Sequence, residues 1–168
     1  MANAVEILNV TKTYGAVTAV NNLSLTIPEG SIYGFIGPNG SGKTTTMRMI
    51  VNIFHPDKGS IQVLGQPTSI ERSSLIGYLP EERGLYRQMQ VQSLLEFYAE
   101  LRGGRKMESE ISVWLERFGL AQCADRRLET LSKGMSQKVQ FIAAAVPEPK
   151  LLILDEPFSG LDPVSMDA

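Results

Sequence analysis

An α/β core that carries an all-helical insertion is the fold class that the sequence predicts, and three patterns indicate it. Short apolar runs separated by turn residues fill the first half of the chain. From about residue 85 to residue 146 the apolar positions recur with the period of an α-helix. The continuous apolar run of residues 151–154 then indicates a strand buried on both faces. Strands that enclose a helical block in this way are typical of the α/β class.

The composition is that of a soluble globular domain. Of the 168 residues, 43% are hydrophobic and 20% are charged, and the formal net charge is -2. These values exclude a disordered chain, a collagen-like repeat, a small disulfide scaffold and a strongly basic nucleic-acid binder. The apolar runs are much shorter than the roughly 18 to 20 residues of a membrane span, and no secretion signal is recognisable. Because Cys123 is the single cysteine, no internal disulfide can form, and we expect a reducing, cytosolic setting.

The first half of the chain predicts several strands and one helix. The predicted strands are residues 23–27, 32–36, 61–64 and 76–79. Residues 23–27 alternate between apolar and polar, whereas residues 32–36 form a compact apolar run that suits a strand buried on both faces. A helix begins near Thr44 and is expected to end at the turn formed by residues 55–59.

Three apolar stripes predict three helices in the second half. The stripes are Val91, Leu94, Leu95, Tyr98 and Leu101; Ile111, Trp114, Leu115 and Phe118; and Met135, Val139, Ile142, Ala143 and Val146. Gly103, Gly104 and Gly119 interrupt the pattern, and two prolines close it before residues 151–154. This segment therefore predicts a helical insertion.

A glycine-rich loop joins the predicted strand 32–36 to the first helix. Its sequence Gly-Pro-Asn-Gly-Ser-Gly-Lys-Thr matches the phosphate-binding pattern G-x-x-x-x-G-K-[ST]. Glycines let consecutive N–H groups face a phosphate chain, and the helix N-terminus adds partial positive charge. We expect Lys43 to contact the β- and γ-phosphates, Thr44 to ligate Mg²⁺, and Thr45 to lie near the α-phosphate. The loop residues expected to bind the nucleotide phosphates are Gly37, Pro38, Asn39, Gly40, Ser41, Gly42, Lys43, Thr44 and Thr45.

Two acids follow the apolar run 151–154. An acid at the carboxyl end of a buried parallel strand lies beside the phosphate loop in sheets of this type, so we expect Asp155 to hold Mg²⁺ through water. Glu156 is then expected to orient and deprotonate the attacking water as the general base. The alternative is a pair of solvated acids at a strand end.

Three further segments complete a set of five ordered motifs. Leu-Ser-Lys-Gly-Met at residues 131–135 precedes the acidic strand end, Ser-Gly-Leu-Asp-Pro at residues 159–163 follows it, and Tyr14 lies near the start of the chain. The set resembles the ATP-binding subunits of ABC transporters, and more loosely the branch that serves simple two-subunit exporters. The resemblance runs over essentially the whole chain.

The resemblance implies a P-loop NTPase (RecA-like) core with an antiparallel β subdomain and an inserted helical subdomain. The whole of residues 1–168 is expected to form a partial nucleotide-binding domain, with the core at residues 1–84 and 147–168 and the helical subdomain at residues 85–146. Family members continue through a central strand that ends in a His, a role that the single histidine, His55, cannot fill. We therefore expect the C-terminal part of the core to be missing and the fragment alone to be poorly stable, with little or no ATP hydrolysis.

In this family, a Leu-Ser-Gly-Gly-Gln signature of one subunit closes over ATP bound to the phosphate loop of another. The resemblance assigns that role to Ser132, Lys133 and Gly134, although Lys133 and Met135 depart from the usual Gly and Gln. Asp162 resembles the D-loop residue that communicates between the two sites. A helix N-cap at Ser132 and a capping role for Asp162 are the alternatives.

Two more positions are interpreted through the resemblance. Tyr14 resembles the aromatic residue that stacks on adenine, with ordinary packing as the alternative. Glu81 stands where the family usually has a Gln that contacts Mg²⁺, so its carboxylate is either a metal ligand beside Thr44 and Asp155 or a solvent-facing acid. The candidates for the surface that contacts the membrane subunit are Arg83, Leu85 and Tyr86.

The sequence thus predicts an ATP-hydrolysing subunit that powers transport, with ATP and Mg²⁺ as its cofactors. The expected partners are a multi-span membrane subunit and a second nucleotide-binding subunit, in a homodimer or a heterodimer, and nucleic acid is not expected. The expected location is cytoplasmic and peripheral, on the inner face of the cell membrane. Two alternatives stay open: a nucleotide-binding module without turnover, and a soluble ABC ATPase that acts outside transport.

Overall fold

The computed structural model describes residues 2–69, 74–81, 84–103 and 106–157. The chain divides into two compact units, Met1–Ser73 and Ser74–Ala168, which are described in turn. Among the described residues, none of the helices combines the length and apolar character that crossing a bilayer requires.

The first unit is built on an antiparallel sheet. Its strands are β1 (Asn3–Tyr14), β2 (Val17–Pro28), β3 (Lys58–Val63) and β4 (Gln66–Pro67), in the order β2-β1-β3-β4. Helix α1 (Lys43–Ile50) packs on β2 and β3. The buried side chains include Ile7 and Val10 of β1, Ile61 of β3 and Met49 of α1. The expected antiparallel β subdomain is confirmed.

Two elements of the first unit differ from the sequence-based expectation. Residues 32–36 form no strand, and Ile32 and Ile36 are almost fully exposed. A strand buried on both faces needs a hydrogen-bonded neighbour at each edge, and no strand of the described residues pairs with this segment. Helix α1 ends at Ile50 rather than near residue 55, because Asn52 turns the chain with a left-handed φ of 62°.

The second unit combines three helices with a parallel pair of strands. The helices are α2 (Val91–Gly103), α3 (Glu108–Arg117) and α4 (Lys133–Ala145), and the strands are β5 (Ile76–Leu79) and β6 (Leu151–Leu154). Strands β5 and β6 pair in register, with Ile76 opposite Leu151 and Leu79 opposite Leu154. The buried core of the helices includes Leu94, Leu95, Ile111, Leu115, Val139 and Ile142.

The predicted stripes fall on α2, α3 and α4, with two departures in burial. Leu101, near the end of α2, is 66% exposed rather than part of the core. Leu152 of β6 is also exposed, whereas the sequence suggested burial on both faces. Among the described residues β6 has β5 as its one ladder partner, so it is an edge strand there rather than a strand inside a sheet, where burial on both faces is typical.

Candidate functional site

The phosphate-type loop leads directly into α1. Gly40 and Gly42 have φ values of 80° and 87°, in the left-handed region that favours glycine. Gly42 is the N-cap of α1, and its carbonyl accepts hydrogen bonds from the backbone N–H and the hydroxyl of Thr46, at 2.8 and 2.9 Å. The loop therefore ends at a helix N-terminus, where backbone N–H groups are left for an anion.

The ammonium group of Lys43 is anchored inside this loop. Its Nζ donates to the carbonyl oxygens of Gly37 and Pro38, at 2.8 and 3.0 Å. The Pro38 carbonyl also accepts from the backbone N–H of Ser41 at 3.2 Å, which closes the loop on itself. An ammonium has three donors, so two bonds hold the charge in place and leave capacity for a phosphate oxygen.

Close packing explains the glycine at the end of the loop. A Cβ at Gly42 would lie 2.3 Å from the carbonyl oxygen of Ala19 in β2 and 3.1 Å from Cγ2 of Val20. A Cβ at Gly37 would lie 2.7 Å from Oγ of Ser41. The loop thus packs too tightly on the backbone of β2 for a larger residue at Gly42, whereas at Gly37 the close atom is the end of the exposed Ser41 side chain, which can rotate away.

The remaining loop residues differ in exposure. Pro38, Asn39, Gly40 and Ser41 are exposed, whereas the side chains of Thr44 and Thr45 are partly buried at the start of α1. The buried Thr46, which the sequence analysis did not single out, holds the loop end to α1 through its bond to Gly42.

Tyr14 has both an exposed side chain and packing partners. It ends β1, is 44% exposed, and meets the ring of Phe54 edge-on with the centroids 6.1 Å apart. The ammonium of Lys12 lies 5.6 Å from the Tyr14 ring centroid, within the range of a cation–π contact. These contacts account for its position by packing and leave part of the ring accessible.

Acidic residues gather in the second unit, at the carboxyl ends of β5 and β6. A cavity of about 430 Å³ is lined by Leu79, Pro80, Glu81, Lys133, Gln137, Gln140, Asp155 and Glu156. Asp155 is buried, and its backbone N–H donates to the Leu79 carbonyl at 2.9 Å, which ties the end of β6 to β5. Glu156 is exposed and has a φ of 52°, a conformation that is costly for a residue with a Cβ.

The predicted signature residues begin α4. Ser132 is the N-cap, and its Oγ accepts a hydrogen bond from the backbone N–H of Met135 at 3.2 Å. Lys133 is exposed and lines the cavity with the three acids, and Gly134 is partly buried in the first turn. Ser132 is thus observed as an N-cap. Because its Oγ acts only as the acceptor in this bond, the hydroxyl can still donate a hydrogen bond to another group.

Sequence reasoning missed Gln137 and Gln140, which line the same cavity as Glu156. The available signal was helical spacing: Gln137 lies four residues after Lys133, Gln140 lies three residues after Gln137, and positions three and four apart share one face of a helix.

The acids do not form a self-sufficient metal site. In the described ranges, no group of three or more His, Cys, Asp or Glu residues is arranged to hold a metal ion. Mg²⁺ commonly keeps several waters and uses one or two protein oxygens together with substrate phosphates. The oxygens of Thr44, Asp155 and Glu81 suit that mode of binding chemically.

Several predicted residues lie elsewhere. Asp162 and Arg83 fall outside the described residues. Leu85 packs against the helical core, and the 58%-exposed Tyr86 meets the ring of Phe97 edge-on at 5.8 Å. The loop of Gly37 to Thr45 belongs to the first unit and the acidic cavity to the second.

Comparisons with known proteins agree on one family. A family model described as "ABC transporter" matches residues 20–159. The chain is 50% identical to the "Uncharacterized ABC transporter ATP-binding protein YhaQ" of Bacillus subtilis (strain 168), over 95% of this chain and 54% of the relative. It is 37% identical to the "Bacitracin transport ATP-binding protein BcrA" of Enterococcus faecalis, over 99% of this chain and 54% of the relative.

A solved structure described as "Structure of ATP binding subunit of ABC transporter" matches with a TM-score of 0.85 at 30% identity, over 96% of this chain and 70% of that one. The chain spans about half the length of the curated relatives that it matches.

Proposed function

The chain belongs to the ABC transporter family, and on this premise we propose that it binds Mg-ATP and hydrolyses it to power transport across a membrane. The observation that carries the proposal is the phosphate loop, in which Lys43 is held by the carbonyls of Gly37 and Pro38 at the start of α1. A fixed ammonium beside the N–H groups of a helix N-terminus is suited to the tail of a nucleoside triphosphate.

The loop supplies most of the proposed contacts to the nucleotide. Backbone N–H groups at the end of the loop and the start of α1 face the phosphates, whereas Pro38 has no N–H and the Ser41 N–H donates to the Pro38 carbonyl. Lys43 neutralises charge on the β- and γ-phosphates. Tyr14 is the proposed contact of the adenine ring, supported by its 44% exposure at the end of β1. Gly42 lets the loop approach the Ala19 carbonyl of β2 more closely than a residue with a Cβ could.

Thr44 and Asp155 are the proposed protein ligands of Mg²⁺, and Glu81 is a third candidate. A hydroxyl and carboxylates are oxygen donors of the kind that Mg²⁺ selects. When bound, Mg²⁺ supplies positive charge that stabilises the triphosphate and its transition state.

Glu156 is the proposed general base. Its carboxylate is exposed beside the cavity that Asp155 also lines, so it can accept a proton from water. That water forms a bond to the γ-phosphorus, the bond from this phosphorus to the β–γ bridging oxygen breaks, and ADP and inorganic phosphate leave.

A second nucleotide-binding subunit is the proposed partner at the signature segment. In a head-to-tail dimer, Ser132, Lys133 and Gly134 of one subunit would meet the γ-phosphate on the other. The start of α4 supports this, because it combines the Ser132 hydroxyl with an exposed ammonium and a helix N-terminus. Asp162 is the proposed link between the two sites.

A multi-span membrane subunit is the proposed partner for transport, and it would hold this chain on the cytoplasmic face of the membrane. Relatives with transport in their names, such as the bacitracin protein, support transport over a soluble ABC ATPase. Tyr86 supports a docking surface beside Leu85, because a large aromatic side chain is 58% exposed there. Co-purification of a multi-span subunit with the full-length protein, and its loss in Tyr86→Ala, tests this partner.

Binding without turnover is the alternative that one observation favours. Glu81 adds a third acid to the cavity that Asp155 and Glu156 line, and its charge opposes that of the phosphates. Steady-state phosphate release distinguishes the two functions, since Glu156→Gln should lower release at least about a hundredfold in an ATPase while leaving ATP binding intact.

Calorimetry with Mg-ATP on the full-length protein tests nucleotide binding itself. We expect Lys43→Ala to remove measurable binding, because it deletes the charge inside the loop. Lys58→Ala is the matched control, since Lys58 is an exposed lysine of the same unit at the start of β3. Equal heats of binding for the wild type and Lys43→Ala would refute the proposed site.

A further inference from the structure

Gln137 makes a contact that none of the proposed roles uses. Its Nε2 donates to the carbonyl oxygen of Pro157 at 2.6 Å, which joins α4 to the residue that follows Glu156. Gln137 also lines the cavity with Asp155 and Glu156. The contact spans 20 residues of sequence, so it is a tertiary restraint rather than a local one.

The restraint acts on a strained residue. Glu156 has a φ of 52°, and such a conformation persists only when the surroundings fix it. On one side of Glu156, the backbone N–H of Asp155 bonds to Leu79 at 2.9 Å. On the other side, Gln137 bonds to Pro157. The backbone of Glu156 is therefore held between two hydrogen bonds.

The Gln137 side chain is poorly explained by packing. Its Oε1 is buried and has no hydrogen-bond partner among the described residues. A buried, unsatisfied oxygen is destabilising, so a position that only filled space would favour Met or Leu. The Nε2 bond to Pro157 gives the amide a role that an apolar side chain cannot supply.

We propose that Gln137 is a positioning residue that holds the Glu156 carboxylate in the orientation needed to deprotonate water. This inference rests on the proposed function, in which Glu156 is the general base. Gln137 lies one helical turn beyond Lys133, and both line the cavity, so the helix that begins at the signature segment also fixes the base.

Single-turnover phosphate release and Mg-ATP binding by the full-length protein test the proposal. Gln137→Met removes the donor and the unsatisfied oxygen while keeping a similar length. We expect the hydrolysis rate to fall about tenfold to a hundredfold, with the Kd for Mg-ATP changed less than about twofold. If the Met variant does not fold, Gln137→Glu is measured in its place, because it also lacks the N–H donor.

Gln122→Met is the matched control. Gln122 donates from Nε2 to the Gly119 carbonyl at 3.0 Å on an exposed surface, so its replacement loses the same type of bond away from the cavity. We expect this variant to hydrolyse ATP at the wild-type rate.

A double-mutant cycle separates positioning from general destabilisation. On a Glu156→Gln background, Gln137→Met should lower the residual rate less than about twofold, because no base remains to be oriented. Two outcomes would overturn the positioning role of Gln137 and leave Glu156 as the base. The first is an equal fall in hydrolysis rate on both backgrounds, and the second is a wild-type rate in Gln137→Met when Glu156→Gln is strongly impaired. Wild-type hydrolysis in Glu156→Gln would overturn the proposed base and this inference together.

Discussion

Lys12 and Asp57 form an ion pair at 2.8 Å that joins β1 to the residue preceding β3, 45 residues later in the sequence. The second oxygen of the Asp57 carboxylate accepts the backbone N–H of Thr13 at 2.7 Å. The bond from Lys12, and then the bond from Thr13, hold the pKa of the Asp57 carboxyl below its usual value of 3.8. The same Lys12 ammonium lies over the ring of Tyr14, so this pair helps to position the proposed adenine contact.

The first prediction concerns the pH dependence of this pair. Because the pKa of Asp57 is lower in the folded state, its contribution to stability is fully present above the unfolded-state pKa and is lost as the pH falls through the folded-state pKa. We expect Asp57→Asn to lower the urea midpoint at pH 7, and the difference from wild type to shrink below about pH 4. Asp125→Asn, at an exposed position, is the control. A difference that stays constant with pH would contradict an ionic origin.

The second prediction concerns the packing of Gly42 on β2. Gly42→Ala places a Cβ 2.3 Å from the Ala19 carbonyl and also forces alanine into a left-handed conformation. Gly30→Ala is the matched control, because Gly30 has a φ of 72° but nothing within 4 Å of the added carbon.

We expect the Gly30 change to cost about 1–2 kcal/mol of unfolding free energy, and the Gly42 change about 1–3 kcal/mol more, measured by urea denaturation. Equal costs would mean that the loop moves away from Ala19 without difficulty.

The part of the fold that sequence could predict is the part set by local periodicity. The period of the apolar residues indicates the buried face of α2, α3, α4 and β2. This pattern is readable from sequence because the residues that share one face of a helix or strand lie within a few positions of each other. Residues 32–36 were misread because an apolar run becomes a strand only with ladder partners, which no local pattern reveals.

The same limit applies to the candidate site. The loop around Lys43 was recognisable because its chemistry depends on consecutive residues. The bonds from Lys12 to Asp57 and from Gln137 to Pro157 could not be recognised from the sequence, because each joins residues far apart in the chain. The strained φ of Glu156 likewise depends on restraints that only tertiary structure supplies.

The third prediction separates the two roles of Ser132. Ser132→Ala removes the N-cap bond to Met135 and should lower the unfolding free energy by about 1 kcal/mol. Ser132→Asn and Ser132→Asp both retain an N-cap acceptor, so both should keep near-wild-type stability.

Only the aspartate adds negative charge where the γ-phosphate of a partner's ATP is proposed to bind. We therefore expect phosphate release to survive in Ser132→Asn and to fall at least tenfold in Ser132→Asp. A tenfold fall corresponds to a loss of about 1.4 kcal/mol of transition-state stabilisation. Equal rates in these two variants would restrict Ser132 to capping.

The last prediction addresses Glu81, whose carboxylate lines the cavity with Asp155 and Glu156. If it ligates Mg²⁺, Glu81→Gln replaces a charged ligand by a weaker neutral one, and the Mg²⁺ concentration for half-maximal phosphate release should rise about threefold to tenfold. Without Mg²⁺, the same change should strengthen ATP binding, because one negative charge near the phosphates is removed. Glu116→Gln, at an exposed position on α3, should alter neither quantity. An unchanged Mg²⁺ dependence in Glu81→Gln would identify Glu81 as a solvent-facing acid, and stronger metal-free binding alone would assign it an electrostatic effect only.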